Sequence, residues 1–350
     1  MLSEPLDDVM LRDILDQPDA LSETLAALAT QAVAARITGL AAGAGRVVFS
    51  GMGASYHACY PALQRLLAAG RPAAWVEAGE LLHFMPALAG PGSLLVLVSQ
   101  SGRTAEIVHL LECHPAHGPV VAVTNDPDSP LARSAGAVLA LGAGEERAVC
   151  STKTYTCTLL ALDLLADALL GEQVAVRRWP AGIAALRHGL ESRAAWLPPL
   201  TDALAVPEHL WLLARGPAVS AAITGALIIK ESSRVHAEGM SAPQFRHGPL
   251  EGSLPGRSAL VMVTPGALGD LDLDLASEMA RAGMTVAAVS TEPGRDLPNA
   301  LLPVRLPPVP PGLEALAQIL PAQLLGRAFV LAQGRTPGQF SLIGKVTVRE

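Results

Sequence analysis

Four strand-like segments of this chain recur in the same order at a nearly constant distance along the sequence. The glycines that end the first pair of segments, Gly51 and Gly216, are 165 positions apart. The second pair keeps this offset, and the third and fourth pairs are shifted by 166 positions. The pairs are 47–51 with 210–216, 93–99 with 258–264, 121–127 with 287–293, and 137–141 with 303–307. Constant spacing over four elements indicates an internal duplication, so we expect two copies of one fold.

The repeated segments predict parallel sheets covered by helices. The segment 93–98 is an almost continuous aliphatic run, which is typical of a strand buried on both faces. Helical patterns lie between the strands, for example at 60–67, 104–111 and 271–281. Half of the residues are hydrophobic but only 3% are aromatic, so the core is built from Ala, Leu and Val. The predicted fold class is α/β, with two tandem doubly wound parallel sheets flanked by helices.

The 350 residues are enough for two domains of ordinary size. We expect a helical lead-in at 1–30 that packs on the sheet or on a partner subunit. The first copy is predicted at 31–195 and the second at 196–335, and a tail at 336–350 contributes to the site. The proline-rich segment 196–200 is the expected linker between the copies.

The turn that follows the segment 93–98 carries the strongest functional signal. Ser99, Ser101 and Thr104 place three hydroxyl groups directly before a predicted helix. Such hydroxyls, together with the free amides of a helix N-terminus, hold a phosphate without a positive charge. The alternative is that these side chains only cap the helix.

Two more hydroxyl-rich turns lie in the first half of the chain. The turn 51–56 follows a strand, and its glycines allow the backbone to approach a ligand closely. The turn 150–154 opens another predicted helix. One helix N-terminus stabilises an anion by only ~0.3–1 kcal/mol, so several turns must converge. In a parallel sheet, ligands bind at the edge where the carboxyl ends of the strands meet, here called the ligand edge. Three turns at the ligand edge of one sheet favour a phosphate or sugar site.

The second half carries a cluster of titratable residues. A helical pattern ends at Lys230 and Glu231, which gives a carboxylate a rigid platform. His236 and His247 follow, and histidines titrate near neutral pH. In the tail, Lys345 is the only lysine after Lys230. A solvated helix end with ordinary histidines, and a solvated lysine in the tail, remain alternatives to a catalytic cluster.

Composition excludes several classes of function. A net charge of -7, without a dense basic block, argues against nucleic-acid binding. The four cysteines have neither CxxC nor zinc-ligand spacing, so we expect four free thiols in a reducing cytoplasm. We expect no metal, cofactor, signal peptide or membrane span, because no apolar run approaches ~18 residues. Glu146 and Arg147 are interpreted as an exposed ion pair of little energetic value.

Together these motifs resemble the sugar isomerase (SIS) family, and more closely the isomerase half of the glucosamine-6-phosphate synthases. The matching stretches are 51–56, 99–102, 149–153, 230–238, 246–250 and the tail around Lys345. They follow the family's order and extend over nearly the whole chain. The set is specific, although no single member of it would be.

The resemblance implies a role for each matching residue. Glu231 would move a proton between C1 and C2 of a sugar, His247 would open the pyranose ring, and Lys345 would meet the carbonyl near C2. His247 would act across the interface of a homodimer. The phosphate would be bound by Gly53, Ala54, Ser55, Ser99, Gln100, Ser101 and Thr104, and the sugar would be lined by Val149 and Ser151.

This sequence also departs from the family pattern. Thr224 and Ile228 stand where the synthases carry Glu and Lys, Arg103 replaces an acidic residue, and Ala54 replaces a frequent Thr. No glutaminase domain with its N-terminal cysteine precedes the SIS region, so we expect no ammonia transfer from glutamine within this chain. The expected reaction is therefore the conversion of glucosamine 6-phosphate to fructose 6-phosphate and ammonia. Deglycation of a fructose-amino acid 6-phosphate and non-catalytic sensing of a phosphosugar are the alternatives.

Overall fold

Ten parallel strands form two five-stranded sheets in the part of the chain that the computed structural model describes, residues 8–114, 116–342 and 344–347. The first sheet consists of β1 (Arg46–Gly51), β2 (Ala73–Glu77), β3 (Ser93–Val98), β4 (Val120–Thr124) and β5 (Ala137–Ala140). The second sheet consists of β6 (His209–Ala214), β7 (His236–Ser241), β8 (Ser258–Met262), β9 (Thr285–Ser290) and β10 (Leu302–Arg305).

The two sheets have the same topology. The strand order is β2-β1-β3-β4-β5 in the first sheet and β7-β6-β8-β9-β10 in the second. Strands β6 to β10 thus occupy the same positions as β1 to β5. All neighbouring strands are parallel. The predicted α/β class with two doubly wound parallel sheets is therefore confirmed.

Helices cover the sheets and connect the strands. In chain order they are α1 (Val9–Leu15), α2 (Gln17–Leu28), α3 (Gln31–Ala41), α4 (Gly53–Ala58), α5 (Tyr60–Ala68), α6 (Ala78–His83), α7 (Ala105–Cys113), α8 (Pro130–Ser134), α9 (Lys153–Leu170), α10 (Val174–Glu191), α11 (Arg193–Leu204), α12 (Val219–Ser233), α13 (Ala242–Phe245), α14 (Leu268–Arg281) and α15 (Glu314–Ala332). Short 3-10 helices occur at Pro86–Ala89, Gly216–Ala218 and Pro249–Gly252.

The chain packs into two units, one around each sheet. The first-sheet unit contains the described residues of 19–146, 151–180 and 341–350. The second-sheet unit contains those of 1–18, 147–150 and 181–340. These units follow packing, whereas the boundaries at 30, 195 and 335 follow the duplication in the sequence. One consequence is that the tail belongs to the first-sheet unit.

Each unit has its own aliphatic core. Every residue of β3 is buried, and the strand hydrogen-bonds to β1 on one side and to β4 on the other. Leu95 and Leu97 pack with Ile107 of α7 on one face of this sheet. In the second-sheet unit, Val261 and Phe245 belong to the corresponding apolar cluster. Central strands buried on both faces explain the continuous aliphatic runs in the sequence.

The prediction of a linker at 196–200 is wrong, because these residues lie inside α11. Trp196, Leu200 and Leu204 are buried at helical spacing, and α11 packs against α15 and β10. Pro198 and Pro199 remove two backbone donors from this helix. Burial of the apolar face outweighs the helix-breaking tendency of the two prolines.

One described helix, α15, is long and apolar enough to cross a membrane, and α2 with α3 would pass the same test as one span bent by 68°. The expectation that no apolar run reaches this length is therefore wrong. Most of α15 is buried inside the protein. Its polar side chains are paired there: Gln318 donates to the carbonyl of Val263 at 3.0 Å, and Arg327 binds Asp8 at 2.7 Å. Such pairing is typical of a core helix.

Candidate functional site

The strand order of the first sheet reverses between β1 and β3, which are adjacent in space. Gly51 at the end of β1 is paired with Val98 at the end of β3. In open parallel sheets, ligands bind beyond the carboxyl ends of the strands at such a reversal. The turns after β1 and β3 are therefore the first place to look for a site.

The turn after β3 is held by its own hydroxyls and by neighbouring backbone groups. Ser99 is 2% exposed, and its Oγ lies 2.7 Å from Oγ1 of Thr104. The Arg103 amide donates to Oγ of Ser101 at 3.2 Å. The carbonyl of Gln100 accepts a hydrogen bond from the amide of Asn125 at 2.9 Å. These bonds fix the turn without using a charged side chain.

The hydroxyls that precede α7 and α9 do not cap these helices. Thr104 and Thr152 occupy the N-cap positions, yet neither side chain accepts a hydrogen bond from its helix. Ser129 shows the contrast, because its Oγ accepts from the amide of Ala132 at 3.3 Å and caps α8. The capping alternative is therefore wrong for Thr104 and Thr152.

Gly102 is required by the shape of this turn. Its φ is +61°, and a Cβ built on it would lie 2.0 Å from Oγ of Ser129 and 3.1 Å from Oγ1 of Thr124. No L side chain fits at this position without displacing the neighbouring helix cap. The exposed Arg103 that follows lies 3.1 Å from the carboxylate of Asp126.

The turn after β1 leads directly into α4. Gly53, with φ +51°, begins the helix, and Ala54 and Ser55 stand half-buried in its first turn. The ring of Tyr56 stacks on Trp75 of β2 at 4.1 Å, and Nε1 of Trp75 donates to the carbonyl of Tyr56 at 2.8 Å. Burial raises the pKa of Tyr56 above its usual value of 10.0, so the phenol stays neutral.

The third turn is organised by Glu146, a residue interpreted from the sequence as part of an exposed ion pair. That interpretation is wrong, because Glu146 is buried. Its Oε1 accepts from the amides of Thr152 and Thr154 at 2.8 and 3.0 Å, and its Oε2 accepts from Oγ1 of Thr154 at 2.7 Å. The carboxylate thus takes the place of a helix cap at the start of α9.

The tail reaches the same edge of the first-sheet unit. Nζ of Lys345 lies 2.8 Å from Oε2 of Glu146. Two residues later, the carbonyl of Thr347 accepts a hydrogen bond from the amide of Ala105, the first residue of α7, at 3.4 Å. Within this unit, the tail therefore contacts both the hydroxyl turn after β3 and the carboxylate that holds α9.

The corresponding place in the second sheet is closed by an ion pair. Arg215 follows β6, and its Nε lies 2.5 Å from Oδ1 of the buried Asp272 of α14. Oδ2 of Asp272 accepts from the amide of Thr264, which follows β8, at 2.9 Å. A carboxylate of the protein thus occupies the donors that an anionic ligand would use there. The two copies have the same topology but different ligand edges.

Glu231 lies half-buried in the last turn of α12, which packs against β6, β7 and α15. The helix ends at Ser233, and its C-cap residue Arg234 has a φ of +62°. Thr224 and Ile228, the two departures from the family pattern, are both buried. Oγ1 of Thr224 has no hydrogen-bond partner among the described residues. This buried face of α12 therefore carries no charged side chain at these two positions.

His247 follows α13 and is exposed. Its backbone amide donates to the carbonyl of Gln244 at 3.0 Å. Val149 is held through its own amide, which donates to the carbonyl of Gly338 at 3.2 Å.

His236 belongs to a histidine pair at the start of β6 and β7. Its Nδ1 lies 2.6 Å from Nδ1 of His209, so one ring donates and the other accepts. Burial, and then the neighbouring His236, lowers the pKa of His209 below its usual 6.5. This pair is at the opposite end of the strands from their carboxyl ends.

The site residues predicted from the sequence divide between the two units. Glu231, His247 and Val149 belong to the second-sheet unit. The first-sheet unit contains Gly53, Ala54, Ser55, Ser99, Gln100, Ser101, Thr104, Ser151 and Lys345. Sequence reasoning missed Glu146, although its position just before the third hydroxyl turn was an available signal. Among the described residues, no group of three or more His, Cys, Asp or Glu side chains is placed to hold a metal ion.

Comparison with known proteins identifies a domain in the first half of the chain. Residues 41–168 match the SIS domain. The isomerizing glutamine–fructose-6-phosphate aminotransferase of Pyrococcus horikoshii is 30% identical over 344 residues, which are 94% of this chain and 55% of that protein. The enzyme of the same name from Aeropyrum pernix is 31% identical. The match covers 97% of this chain and 57% of that protein. The chain thus spans just over half the length of these curated relatives.

A solved structure shares the fold over almost the whole chain. The C-terminal domain of glucosamine-fructose-6-phosphate aminotransferase from Francisella tularensis superposes with a TM-score of 0.85 at 23% identity. The match covers 95% of this chain and 98% of that domain. At this level of identity, the likeness concerns the fold.

Proposed function

The chain belongs to the SIS family, and on this premise we propose that it is a sugar-phosphate aldose–ketose isomerase that releases ammonia from glucosamine 6-phosphate. The observation that carries the proposal is the turn after β3. Its hydroxyls meet at the ligand edge of the first sheet, and Thr104 is not used as a helix cap. Neutral donors at a helix N-terminus match a phosphate monoester.

The proposed reaction is a proton transfer followed by hydrolysis. In open-chain glucosamine 6-phosphate, Glu231 removes the proton from C2, and an enolamine forms between C1 and C2. Return of this proton to C1 gives the imine of fructose 6-phosphate. Addition of water and departure of ammonia then give fructose 6-phosphate. A positioned carboxylate of this kind typically contributes ~10²–10⁴-fold to the rate.

The other proposed residues prepare the substrate for this step. His247 opens the pyranose ring, and Lys345 meets the ketose carbonyl that forms near C2. Ser55, Ser99, Gln100, Ser101 and Thr104 bind the phosphate with the backbone of Gly53 and Ala54, and Val149 and Ser151 line the sugar. We further propose a cytoplasmic homodimer in which His247 serves the site of the partner subunit.

Ammonia release is the direct test. Purified protein is incubated with glucosamine 6-phosphate, and ammonia is measured by a coupled assay beside the variant Glu231→Gln. We expect release by the wild type and a loss of at least ~100-fold in the variant, because the amide cannot accept the proton. Equal rates for the two proteins would reject the proposal.

Two further outcomes separate the alternatives. Release of an amino acid from fructose-amino acid 6-phosphates, and not of ammonia, would identify a deglycase. The buried, uncharged pair Thr224 and Ile228 favours the sensor alternative, since a charged pair is missing from the helix that carries Glu231. A sensor would be stabilised by fructose 6-phosphate. It would not exchange a substrate proton with deuterated water in an NMR experiment.

A further inference from the structure

We propose that Glu146 is a positioning residue that holds Lys345 as an ammonium group, so that Lys345 acts on the substrate as a hydrogen-bond donor and not as an imine-forming amine. The inference rests on the proposed function and assigns a state to one of its residues. It starts from a contact that joins two residues 199 positions apart in the sequence, Nζ of Lys345 and Oε2 of Glu146 at 2.8 Å.

The burial of Glu146 makes this contact specific. The carboxylate of Glu146 is inaccessible in the ion pair, whereas the side chain of Lys345 remains 23% exposed. A buried carboxylate must be paired and hydrogen-bonded to remain charged. Glu146 meets this requirement through the amides of Thr152 and Thr154, the hydroxyl of Thr154, and the ammonium of Lys345. The ammonium is thus part of what satisfies the buried charge.

The same carboxylate is attached to a rigid element. Its bonds to Thr152 and Thr154 tie it to the first turn of α9, a helix of 18 residues that is buried over most of its length. The tail has a second attachment, from the carbonyl of Thr347 to the amide of Ala105. Lys345 is therefore attached through Glu146 to the start of α9, and the tail is attached through Thr347 to the start of α7. The first of these two helices begins just after the predicted sugar-lining residue Ser151.

The chemical consequence concerns the lone pair of Lys345. An imine forms only when a neutral amine attacks the carbonyl carbon, and an ammonium ion paired with a carboxylate has no lone pair to do so. It can donate a hydrogen bond to the oxygen that water adds to C2 and that becomes the ketose carbonyl when ammonia leaves. Preorganised donors of this kind stabilise the transition state.

The first experiment measures the reactivity of Lys345 without any turnover. The wild type, Glu146→Gln and the control Glu145→Gln are treated with a limiting amine-acylating reagent, and the labelling of Lys345 is followed by peptide mass spectrometry. Glu145 is the matched control because it is an exposed glutamate one position earlier. We expect several-fold faster labelling of Lys345 in Glu146→Gln alone. Equal rates in all three proteins would overturn the proposal.

The second experiment asks whether an imine forms. The wild type is incubated with fructose 6-phosphate and reduced with borohydride. The mass of the peptide that contains Lys345 is then measured by mass spectrometry. We expect no secondary amine at Lys345. A stoichiometric adduct would show an attacking amine and overturn the inference, even if ammonia release had already been established.

The third experiment separates positioning from a purely structural role. Glu146→Gln keeps one acceptor oxygen for the amides of Thr152 and Thr154, and we expect it to lower kcat by roughly 10- to 100-fold with little change in KM. In the background Lys345→Met, the same substitution should have no further effect on kcat. A full additional loss in that background would show that Glu146 acts through α9 and not through Lys345. If the wild type releases no ammonia, the proposed function fails, and the labelling rates still test the pair.

Discussion

Gly102 has a backbone conformation that the turn after β3 requires. Replacing it with alanine places a Cβ 2.0 Å from Oγ of Ser129 at a φ of +61°. We expect Gly102→Ala to lower the free energy of unfolding by about 1–3 kcal/mol and to abolish detectable binding of fructose 6-phosphate. Chemical denaturation and isothermal titration calorimetry measure the two effects.

Gly43→Ala is the matched control for this substitution. A Cβ at Gly43 meets nothing within 4 Å and faces no unusual φ. We expect it to retain stability and binding. Normal binding by Gly102→Ala would show that the turn after β3 does not hold the phosphate.

His209 makes stability depend on pH. Burial lowers its pKa in the folded state, His236 and Arg257 lower it further, and only Glu208 opposes them. The unfolded chain therefore takes up this proton first as the pH falls. We expect the free energy of unfolding to decrease as the pH drops through about 6.5 and to level off below the folded pKa.

Denaturation titrations between about pH 5 and 8 check this dependence. His209→Asn removes the proton uptake, so its stability curve should be flatter than that of the wild type over this range. The exposed His188 supplies the control His188→Asn, which should keep the wild-type slope. An unchanged slope in His209→Asn would contradict the assignment.

The sequence indicated the hydroxyl turn after β3 more readily than the buried carboxylate of Glu146. Ser99, Ser101 and Thr104 are neighbours in the chain, so local order alone brings them into one turn. Glu146 was harder to interpret, because its ion-pair partner Lys345 lies 199 positions away. A glutamate beside an arginine resembles an exposed ion pair, and only its position just before the third hydroxyl turn pointed to another role.

At the scale of the element, α9 is fixed by a buried charge network. Asp163 accepts hydrogen bonds from Nη1 of Arg65 at 2.8 Å, from Nε of Arg178 at 3.0 Å and from Nε1 of Trp179 at 2.7 Å. Asp163→Asn leaves two guanidinium groups without their shared countercharge. We expect a loss of about 3–5 kcal/mol in the free energy of unfolding, measured by chemical denaturation.

Glu172 contacts the same Arg65 and is the control for this network. Its side chain is 43% exposed, so Glu172→Gln should change stability by less than about 1 kcal/mol. Equal losses for the two variants would mean that burial does not set the strength of these ion pairs.

The strands that sequence reasoning missed are one edge strand in each sheet. Eight of the ten strands were predicted, and β2 and β7 occupy the same edge position in their sheets. The sequence of β7, His-Ala-Glu-Gly-Met-Ser, has no aliphatic run because an edge strand is not buried on both faces. For the same reason, its His236 and Glu238 were assigned to a chemical cluster and not to a strand. Tertiary packing likewise overrode the prolines of α11.

At the scale of the whole molecule, the duplication conserves topology and changes the chemistry of the ligand edge. The strand orders of the two sheets are equivalent. In the first sheet, the reversal point carries hydroxyls, and in the second it carries the pair of Arg215 and Asp272. We therefore expect one phosphosugar per chain, which the stoichiometry of a calorimetric titration will measure. Two equivalents would contradict the closed second edge.

Mixing two inactive variants tests the proposed homodimer. Glu231→Gln and His247→Ala are each expected to be inactive in ammonia release. If His247 serves the partner subunit, dimers formed from both variants contain one intact site. Random exchange should then restore about a quarter of the wild-type activity. No recovery, in a mixture shown by native mass spectrometry to contain mixed dimers, would place His247 in the same subunit as Glu231.

Both units are completed by contacts between residues that are far apart in the order of synthesis. Asp8 meets Arg327 across 319 positions, and Glu146 meets Lys345 across 199. During translation, the helix that follows Asp8 must wait for nearly all of the chain before it reaches its packing partner. The strands of the first sheet leave the ribosome long before the lysine that completes their ligand edge. Nascent molecules consequently pass through a prolonged stage in which apolar surface is formed but not covered, a stage at which assistance by chaperones is most valuable.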